Sequence, residues 1–229
     1  IFLIMNNCKI PKHPIHVLLD EFFANAEMEG VIAEYQHKNS SCSKWLMFSD
    51  YCLDDKNKAN DVMTFVLMPF ENEAKYTEMQ QKIHDMQPSD IKKTNTVDKD
   101  FLSYLKNENV LVFSFVFNDR KHFLARTYGQ CLKKVKETFQ MICDCYEEWK
   151  KTACNKEILK HYEKVVNTIN QQLATLNGKN PDIKLFNDIL ITAFLGAYVS
   201  VKVLEKLPIE IFGWFSDRDK VISGKDNII

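Results

Sequence analysis

Two apolar segments of the chain end in the same polar pattern, Phe48-Ser49-Asp50 and Phe215-Ser216-Asp217-Arg218-Asp219. If the two segments are neighbouring strands of one sheet, Asp50 comes close to Asp217 or Asp219 at one sheet edge. Carboxylate oxygens are ligands that hard divalent cations prefer. Two Mg²⁺ or Mn²⁺ ions can activate a water and stabilise the leaving oxygen of a phosphodiester. The pattern therefore indicates metal-dependent hydrolysis, with the alternative that each Asp ends a strand because Asp favours turns.

Lysines supply the candidate contacts to a phosphate group. Lys92 and Lys93 lie in a polar stretch, where a lysine ammonium would act as a point charge on a phosphate oxygen. The alternative for both is an exposed polar loop. One predicted helix carries five further lysines on a single face, Lys133, Lys134, Lys136, Lys150 and Lys151. That face is either a nucleic-acid track or an ordinary solvated helix surface.

Other kinds of chemical site are weakly represented. Cys143, Cys145, Cys154 and His161 are ligand types for Zn²⁺, but two cysteines two positions apart on a helix point in different directions. Core cysteines are the favoured interpretation. The chain contains no Walker P-loop, Rossmann glycine fingerprint or HExxH motif, which argues against ATPase, dehydrogenase and zinc-protease functions.

Composition indicates a folded globular chain without a general attraction to polyanions. The 229 residues are 45% hydrophobic and 27% charged, and 30 basic residues against 31 acidic ones give a net charge of −1. Any nucleic-acid contact would therefore need a local basic patch. Six glycines and six prolines favour long helices over a turn-rich sandwich. Seven cysteines, an odd number without a dense framework, favour a reducing cytoplasm.

Two apolar stretches are candidates for a targeting or membrane segment. Ile1–Met5 is short and is followed by Asn6 and Asn7, so it does not predict an export signal. Leu185–Leu204 contains Asn187, Asp188 and Lys202, and its charge-free part is well short of the roughly 20 apolar residues that a bilayer span needs. We expect a buried central helix and no membrane partner.

Apolar runs bounded by turn residues predict four strands. Lys44–Phe48 and Val62–Met68 form a hairpin whose connector, Asp54–Asp61, is a long polar tip. Val110–Phe117 is apolar almost throughout, which predicts a central strand with both faces covered. Ile209–Phe215 is the last strand.

In most of the remaining sequence the apolar residues recur with helical spacing, which predicts helices. Pro14–Tyr35 predicts one helix, although Ile15–Leu19 could instead be a strand. Two long apolar stripes, one from Leu124 to Trp149 and one from Leu159 to Leu176, are expected to face each other. The remaining predicted helices are Lys75–Met86, Lys99–Glu108 and Lys184–Lys206.

These elements predict an α/β fold with a mixed sheet of about four strands and long helices on at least one sheet face. We expect a single α/β domain over residues 1–229. It would comprise an N-terminal helical extension (1–43), a sheet with a helical crossover (44–120), long helices (121–206), and a final strand followed by the start of a helix (207–229).

The order of elements resembles the ribonuclease H-like proteins of bacteria and phages whose first strand usually ends in Asp-Glu-Ser-Gly. Ser49-Asp50-Tyr51 corresponds to the first carboxylate site, Ser89-Asp90-Ile91-Lys92-Lys93 to the polar motif after the first crossover, and Asp217-Arg218-Asp219 to the later carboxylates. Glu-Ser-Gly is absent after Asp50. The helix that carries the last carboxylate of such folds would start near Lys225-Asp226, so either Asp226 serves that role or the site is incomplete.

The resemblance implies a metal-dependent nuclease acting on DNA or RNA, in host defence or a mobile element. Asp50, Asp217, Asp219 and Lys92 would be catalytic, and Asp50, Asp217, Asp219 and Asp226 would hold Mg²⁺ or Mn²⁺. The alternative function is a catalytically silent module that binds a protein partner or a second copy through its long helices.

Overall fold

The structure, a computed structural model, describes residues 14–89, 96–121, 123 and 131–216. The strands in this part are β1 (Lys44–Cys52), β2 (Asp61–Pro69), β3 (Leu111–Phe117) and β4 (Ile211–Ser216). The helices are α1 (Pro14–Phe23), α2 (Ala26–Lys38), α3 (Glu73–Met86), α4 (Lys99–Asn107), α5 (Leu132–Lys151), α6 (Lys156–Leu176) and α7 (Ile183–Leu204).

The four strands form one mixed sheet in the order β3-β2-β1-β4. β1 pairs antiparallel with β2, and β2 pairs antiparallel with β3. β4 lies on the other side of β1 and runs parallel to it. The fold is therefore α/β with a four-stranded mixed sheet, as the sequence predicted.

The two faces of the sheet differ in burial, because successive side chains of a strand point to opposite faces. We call one the helix-facing face; its buried residues are Trp45, Met47, Ser49, Tyr51, Met63, Phe65, Leu67 and Phe113. We call the other the second face; its residues are Leu46, Phe48, Asp50, Cys52, Val62, Thr64, Val66, Met68, Val112, Ser114, Val116, Ile211, Gly213 and Phe215. None of the second-face residues is buried.

The core lies between the helix-facing face and a layer of helices. Residues of α1, α2, α5, α6 and α7 join those of β1, β2 and β3 in one hydrophobic cluster. α5 and α6 pack antiparallel, since Tyr146 contacts Tyr162 at 5.5 Å between ring centroids and the Cys143 thiol lies 3.7 Å from Asn170 Oδ1 further along α6. The predicted packing of the two apolar stripes is confirmed.

α7 is the central helix of this layer. Ile183–Leu204 is long and apolar enough, by length and composition, to cross a membrane, and 67% of its most apolar window is buried within the fold. Its buried residues include Phe186, Ile191 and Val199. The predicted central position of this helix is confirmed.

The N-terminal helical region consists of two helices rather than the single predicted helix. α1 ends at Phe23 and α2 begins at Ala26. Asn25 between them has an extended backbone, and its side chain accepts a hydrogen bond from the Glu27 amide at 2.9 Å. Such a cap starts a new helix. The alternative of a strand over Ile15–Leu19 is wrong.

Three further boundaries differ from the sequence predictions. Within the described residues β3 is the last strand of the sheet, and its Val112 and Val116 are exposed, so for this part of the chain the prediction of a central strand covered on both faces is wrong. The helix expected from Lys121 to Lys150 is interrupted: Arg120, Lys121 and Phe123 are helical, Cys131 is extended (φ −106°, ψ 123°), and α5 starts at Leu132. β1 continues to Cys52, so Asp50 lies within the strand and not after its end.

Candidate functional site

Asp50 is exposed on the second face of β1. The alternation of this strand buries Trp45, Met47 and Tyr51 against the helix layer, which turns the intervening residues to the opposite face. The burial of these large side chains therefore fixes the direction of the Asp50 carboxylate. Its partner in the antiparallel register is Thr64 on β2.

β4 lies beside β1 with the two polar patterns in register. Phe48 pairs with Phe215 and Ser49 with Ser216, and because the strands are parallel, both run toward the same sheet edge. The rings of Phe48 and Phe215 stack at 5.6 Å between centroids on the second face. The condition stated for the carboxylate site, that the two segments are neighbouring strands, is met up to Ser216, the last described residue.

Ser49 attaches β4 to β1 on the helix-facing face. The Trp214 indole Nε1 donates a hydrogen bond to Ser49 Oγ at 2.8 Å. The Ser49 and Tyr51 hydroxyls also lie 2.6 Å apart. Since Ser49 is buried, these hydrogen bonds satisfy a polar group that would be costly to leave unpaired. Ser49 thus helps to hold β4 beside β1.

Four of the five predicted site residues lie outside the described residues. These four are Lys92, Asp217, Asp219 and Asp226. Lys93 and Asp90 of the same polar motif also lie outside them. Within the described ranges, no group of three or more His, Cys, Asp or Glu side chains could hold a metal ion. Asp50 is therefore the predicted ligand whose position the fold defines.

A polar row across the second face was missed by the sequence analysis. Thr64 lies opposite both Asp50 on β1 and Ser114 on β3, and the Thr64 and Ser114 hydroxyls are 3.1 Å apart. Thr64 is the single polar residue of Val62–Met68, as Ser114 is of Leu111–Phe117. A single polar residue within an apolar run is the feature of the sequence that indicates Thr64 and Ser114. The row places hydrogen-bonding groups beside Asp50 on a face that is otherwise mainly apolar.

A buried ionic cluster around Arg120 was also missed. The Arg120 side chain is fully buried, its Nε lies 2.8 Å from Asp61 Oδ2 and its Nη2 lies 2.9 Å from Asp54 Oδ2. Nη1 donates to Asp188 of α7, and Lys184 pairs with Asp54. The connector that the sequence analysis treated as a polar tip is thus tied to β3 and α7.

The charges of this cluster offset the cost of burial for Arg120 and Asp54, but not fully for Asp188. Burial lowers the pKa of Arg120, but Asp188, Asp61 and Asp54 raise it above its usual value. Burial also acts to raise the pKa of Asp54, yet Lys184 and Arg120 bring it below its usual value. For Asp188, burial outweighs the attraction of Arg120 and raises the pKa to about 6. The cluster is an internal ion-pair network, in which Arg120 neutralises the carboxylates.

The zinc alternative gains no support in the described part of the chain. Cys143 and Cys145 are buried, whereas Cys154 is exposed. The fold places Cys143 against α6, as expected of a core cysteine. On the predicted basic face, three of the five lysines pair with glutamates of α5 itself: Lys133 with Glu137, Lys150 with Glu147 and Lys151 with Glu148.

Comparison with known proteins gives no indication of function, so a functional proposal depends on the chain's own residues. No protein-family model matches the chain, and no curated protein and no solved structure matches it.

Proposed function

We propose that the carboxyl ends of β1 and β4, at one end of the sheet, form a divalent-metal site that hydrolyses phosphodiester bonds of DNA or RNA. The observation that carries the proposal is the parallel register Ser49–Ser216. Asp50 and Asp217 each follow one of these serines. Adjacent strands are separated by about 4.8 Å, so a β4 that continued for one more residue would bring the two carboxylates within reach of a shared ion.

The surroundings of Asp50 suit a polar substrate. Asp50 and Ser114 are exposed, and Thr64 lies between their strands on the same face. Hydroxyl groups can donate hydrogen bonds to phosphate oxygens. Bound Mg²⁺ or Mn²⁺ would supply Lewis acidity for the attacking water and the leaving oxygen. In this proposal Asp50, Asp217, Asp219 and Asp226 hold the ion, and Lys92 contacts the phosphate.

The order of elements supports a ribonuclease H-like version of this site. A hairpin of two strands is followed by two short helices, a third antiparallel strand, long helices, and a last strand that returns beside the first. This is the order on which the resemblance was based. The ribonuclease H-like assignment belongs to the proposal.

Asp50→Asn tests the metal site. The amide keeps the shape of the side chain but removes the anionic charge that attracts the cation. We expect cleavage of DNA or RNA substrates with Mg²⁺ or Mn²⁺ to fall by about two orders of magnitude or more, and Mn²⁺ binding by calorimetry to weaken. The melting temperature should stay level or rise, because repulsion between carboxylates is relieved. Asp217→Asn should behave in the same way.

Asp144→Asn is the matched control for this experiment, because Asp144 is an exposed carboxylate on α5 that accepts a hydrogen bond from Gln140. It should leave cleavage unchanged. Equal cleavage by the parent, Asp50→Asn and Asp217→Asn would refute the site. A parent chain that neither binds Mn²⁺ nor cleaves any of the substrates would refute the nuclease function itself.

One observation favours the silent interaction module as the second candidate function. On the second face, Val112 and Val116 of β3 and Ile211 and Phe215 of β4 are 52–56% exposed, and the partly exposed Phe48 and Val66 lie on the two strands between them. Exposed apolar surface of this extent marks interaction sites. The apolar sides of α5 and α6 pack within the core, so this version of the module would use the sheet rather than the long helices. It predicts self-association in sedimentation that Phe215→Ser weakens and Asp50→Asn leaves unchanged.

A further inference from the structure

An apolar groove runs along the outer edge of β3. It has a volume of about 680 Å³ and lies between β3 and α1. Leu18 and Phe22 of α1 line one side, and Val112 and Val116 of β3 also contribute to it. All four side chains are about half exposed. The groove is thus apolar both toward the helix layer and toward the second face.

The backbone along this groove offers unsatisfied hydrogen-bonding groups. Within the described part of the chain, β3 pairs with β2 alone, and an edge strand presents a row of free N–H and C=O groups on its outer side. A groove of this kind fits an extended segment that adds to the sheet as another strand. Because both sides of the groove are apolar, the segment should be apolar at consecutive positions, not only at alternate ones.

We propose that Ile1–Met5 of this chain is the occupant and adds to β3 as a fifth strand of the sheet. Four longer stretches of sequence lie outside the described residues: 1–13, 90–95, 124–130 and 217–229. Of these, 1–13 alone contains five consecutive apolar residues, Ile1-Phe2-Leu3-Ile4-Met5. Isoleucine and phenylalanine also favour strands.

The connection to α1 makes this segment a close neighbour of the groove. Ile15 at the start of α1 lines the groove, and nine residues separate it from Met5. A chain of nine residues can extend to about 30 Å, whereas the ten residues of α1 are about 15 Å long. The tether therefore reaches any point along α1 and holds the segment at a high effective concentration.

Hydrogen–deuterium exchange of the β3 peptide in the full chain tests the proposal. Occupation of the groove protects the outward-facing amides of Leu111–Phe117. Deleting residues 1–5 should then raise exchange in β3 on the order of tenfold, while β1 and β2 exchange as before. Leu3→Asp should have the same effect without shortening the chain, and Asn6→Asp is its control. If the deletion unfolds the chain, the two point variants decide the question.

A second pair of variants tests the groove wall. Leu18→Asp should raise exchange in β3, and Leu102→Asp on α4 should not, although both leucines are about half exposed on helices. Unchanged β3 exchange in both Leu3→Asp and Leu18→Asp would overturn the proposal. The proposal would also be overturned if the protection of β3 were lost on dilution but were unchanged in Leu3→Asp. A second copy of the chain would then be the occupant.

Discussion

The two faces of the sheet use the same four strands and carry very different residues. The helix-facing face is mostly buried, and its aromatic side chains contact one another, as Phe65 does with Tyr51, Phe115 and Trp214. The second face has no buried residue and contains Asp50 in a row with two hydroxyl groups. Packing dictates residue types on a covered face far more than on an open one. The second face is therefore where residues that serve function rather than stability should be sought.

The first prediction compares phenylalanines on the two faces and has the largest expected effect on stability. Phe65 is completely buried, whereas Phe215 is about half exposed. Phe65→Ala should lower the free energy of unfolding by about 3–5 kcal/mol, because it removes buried apolar surface and leaves a cavity. Phe215→Ala should cost less than about 1 kcal/mol. Chemical denaturation of both variants measures the difference.

Equal losses in the two variants would break the comparison. In that case Phe215 would be covered in solution, and the second face would be an interface. Repeating the denaturation of Phe215→Ala at several protein concentrations separates cover by a second copy from cover within the chain, since only the former depends on concentration.

The second prediction concerns the contact between Gly196 of α7 and Trp214 of β4, which packs β4 against the helix layer. A Cβ at Gly196 of α7 would lie 2.5 Å from the Trp214 ring and 3.1 Å from the Phe65 ring. Gly196→Ala should therefore displace Trp214, weaken its hydrogen bond to Ser49, and destabilise the chain by about 1–3 kcal/mol. Thermal unfolding measures the loss. Trp214→Phe in the same chain should reduce the cost of Gly196→Ala by removing part of the ring.

Gly30→Ala is the matched control for Gly196→Ala. Gly30 also lies within a helix, and a Cβ there would have no atom within 4 Å. Alanine should stabilise α2 by about 0.5–1 kcal/mol, because it lowers the conformational entropy of the unfolded chain. If Gly196→Ala were as harmless as Gly30→Ala, Trp214 would not hold β4 in place.

Local pattern was enough to predict much of the sheet and helix layer. The runs around Phe48 and Val66 read as strands because their apolar residues are continuous and end at turn residues. The stripes of α5 and α6 were visible because the 3.6-residue period repeats over five turns or more. The shared Ser-Asp pattern raised the pairing of β1 with β4 as a condition, and the structure shows this pairing.

Features that depend on distant neighbours could not be read in the same way. The composition of β3 does not indicate how many strands flank it, because an apolar strand at the edge of the described sheet has the same composition as a central one. Arg120 finds Asp61 and Asp188 at separations of 59 and 68 residues, which no local pattern encodes. Asp188 was noted only as an interruption of an apolar helix. A charged residue in such a helix, in retrospect, indicates a buried partner of opposite charge.

The last prediction concerns the pH dependence of stability that the buried Asp188 causes on the covered side of the sheet. Burial raises the pKa of Asp188 to about 6, above the value of about 3.9 in an unfolded chain. The folded state therefore binds this proton more tightly. The stability that Asp188 contributes is fully present below about pH 3.9 and is lost as pH rises through about 6.

Asp188→Asn imitates the protonated side chain and keeps an oxygen that can accept from Arg120. The melting temperature of the variant relative to the parent should therefore increase as pH rises from about 5 to about 7. Histidines titrate in the same window, but they do so in both proteins and cancel in the difference. Asp54, whose pKa is lowered, acts below this window. Asp85→Asn, on the exposed surface of α3, is the control for the substitution itself. A flat or falling difference for Asp188→Asn would mean that Arg120 keeps Asp188 ionised throughout, and that the ion-pair network stabilises the covered side of the sheet at neutral pH.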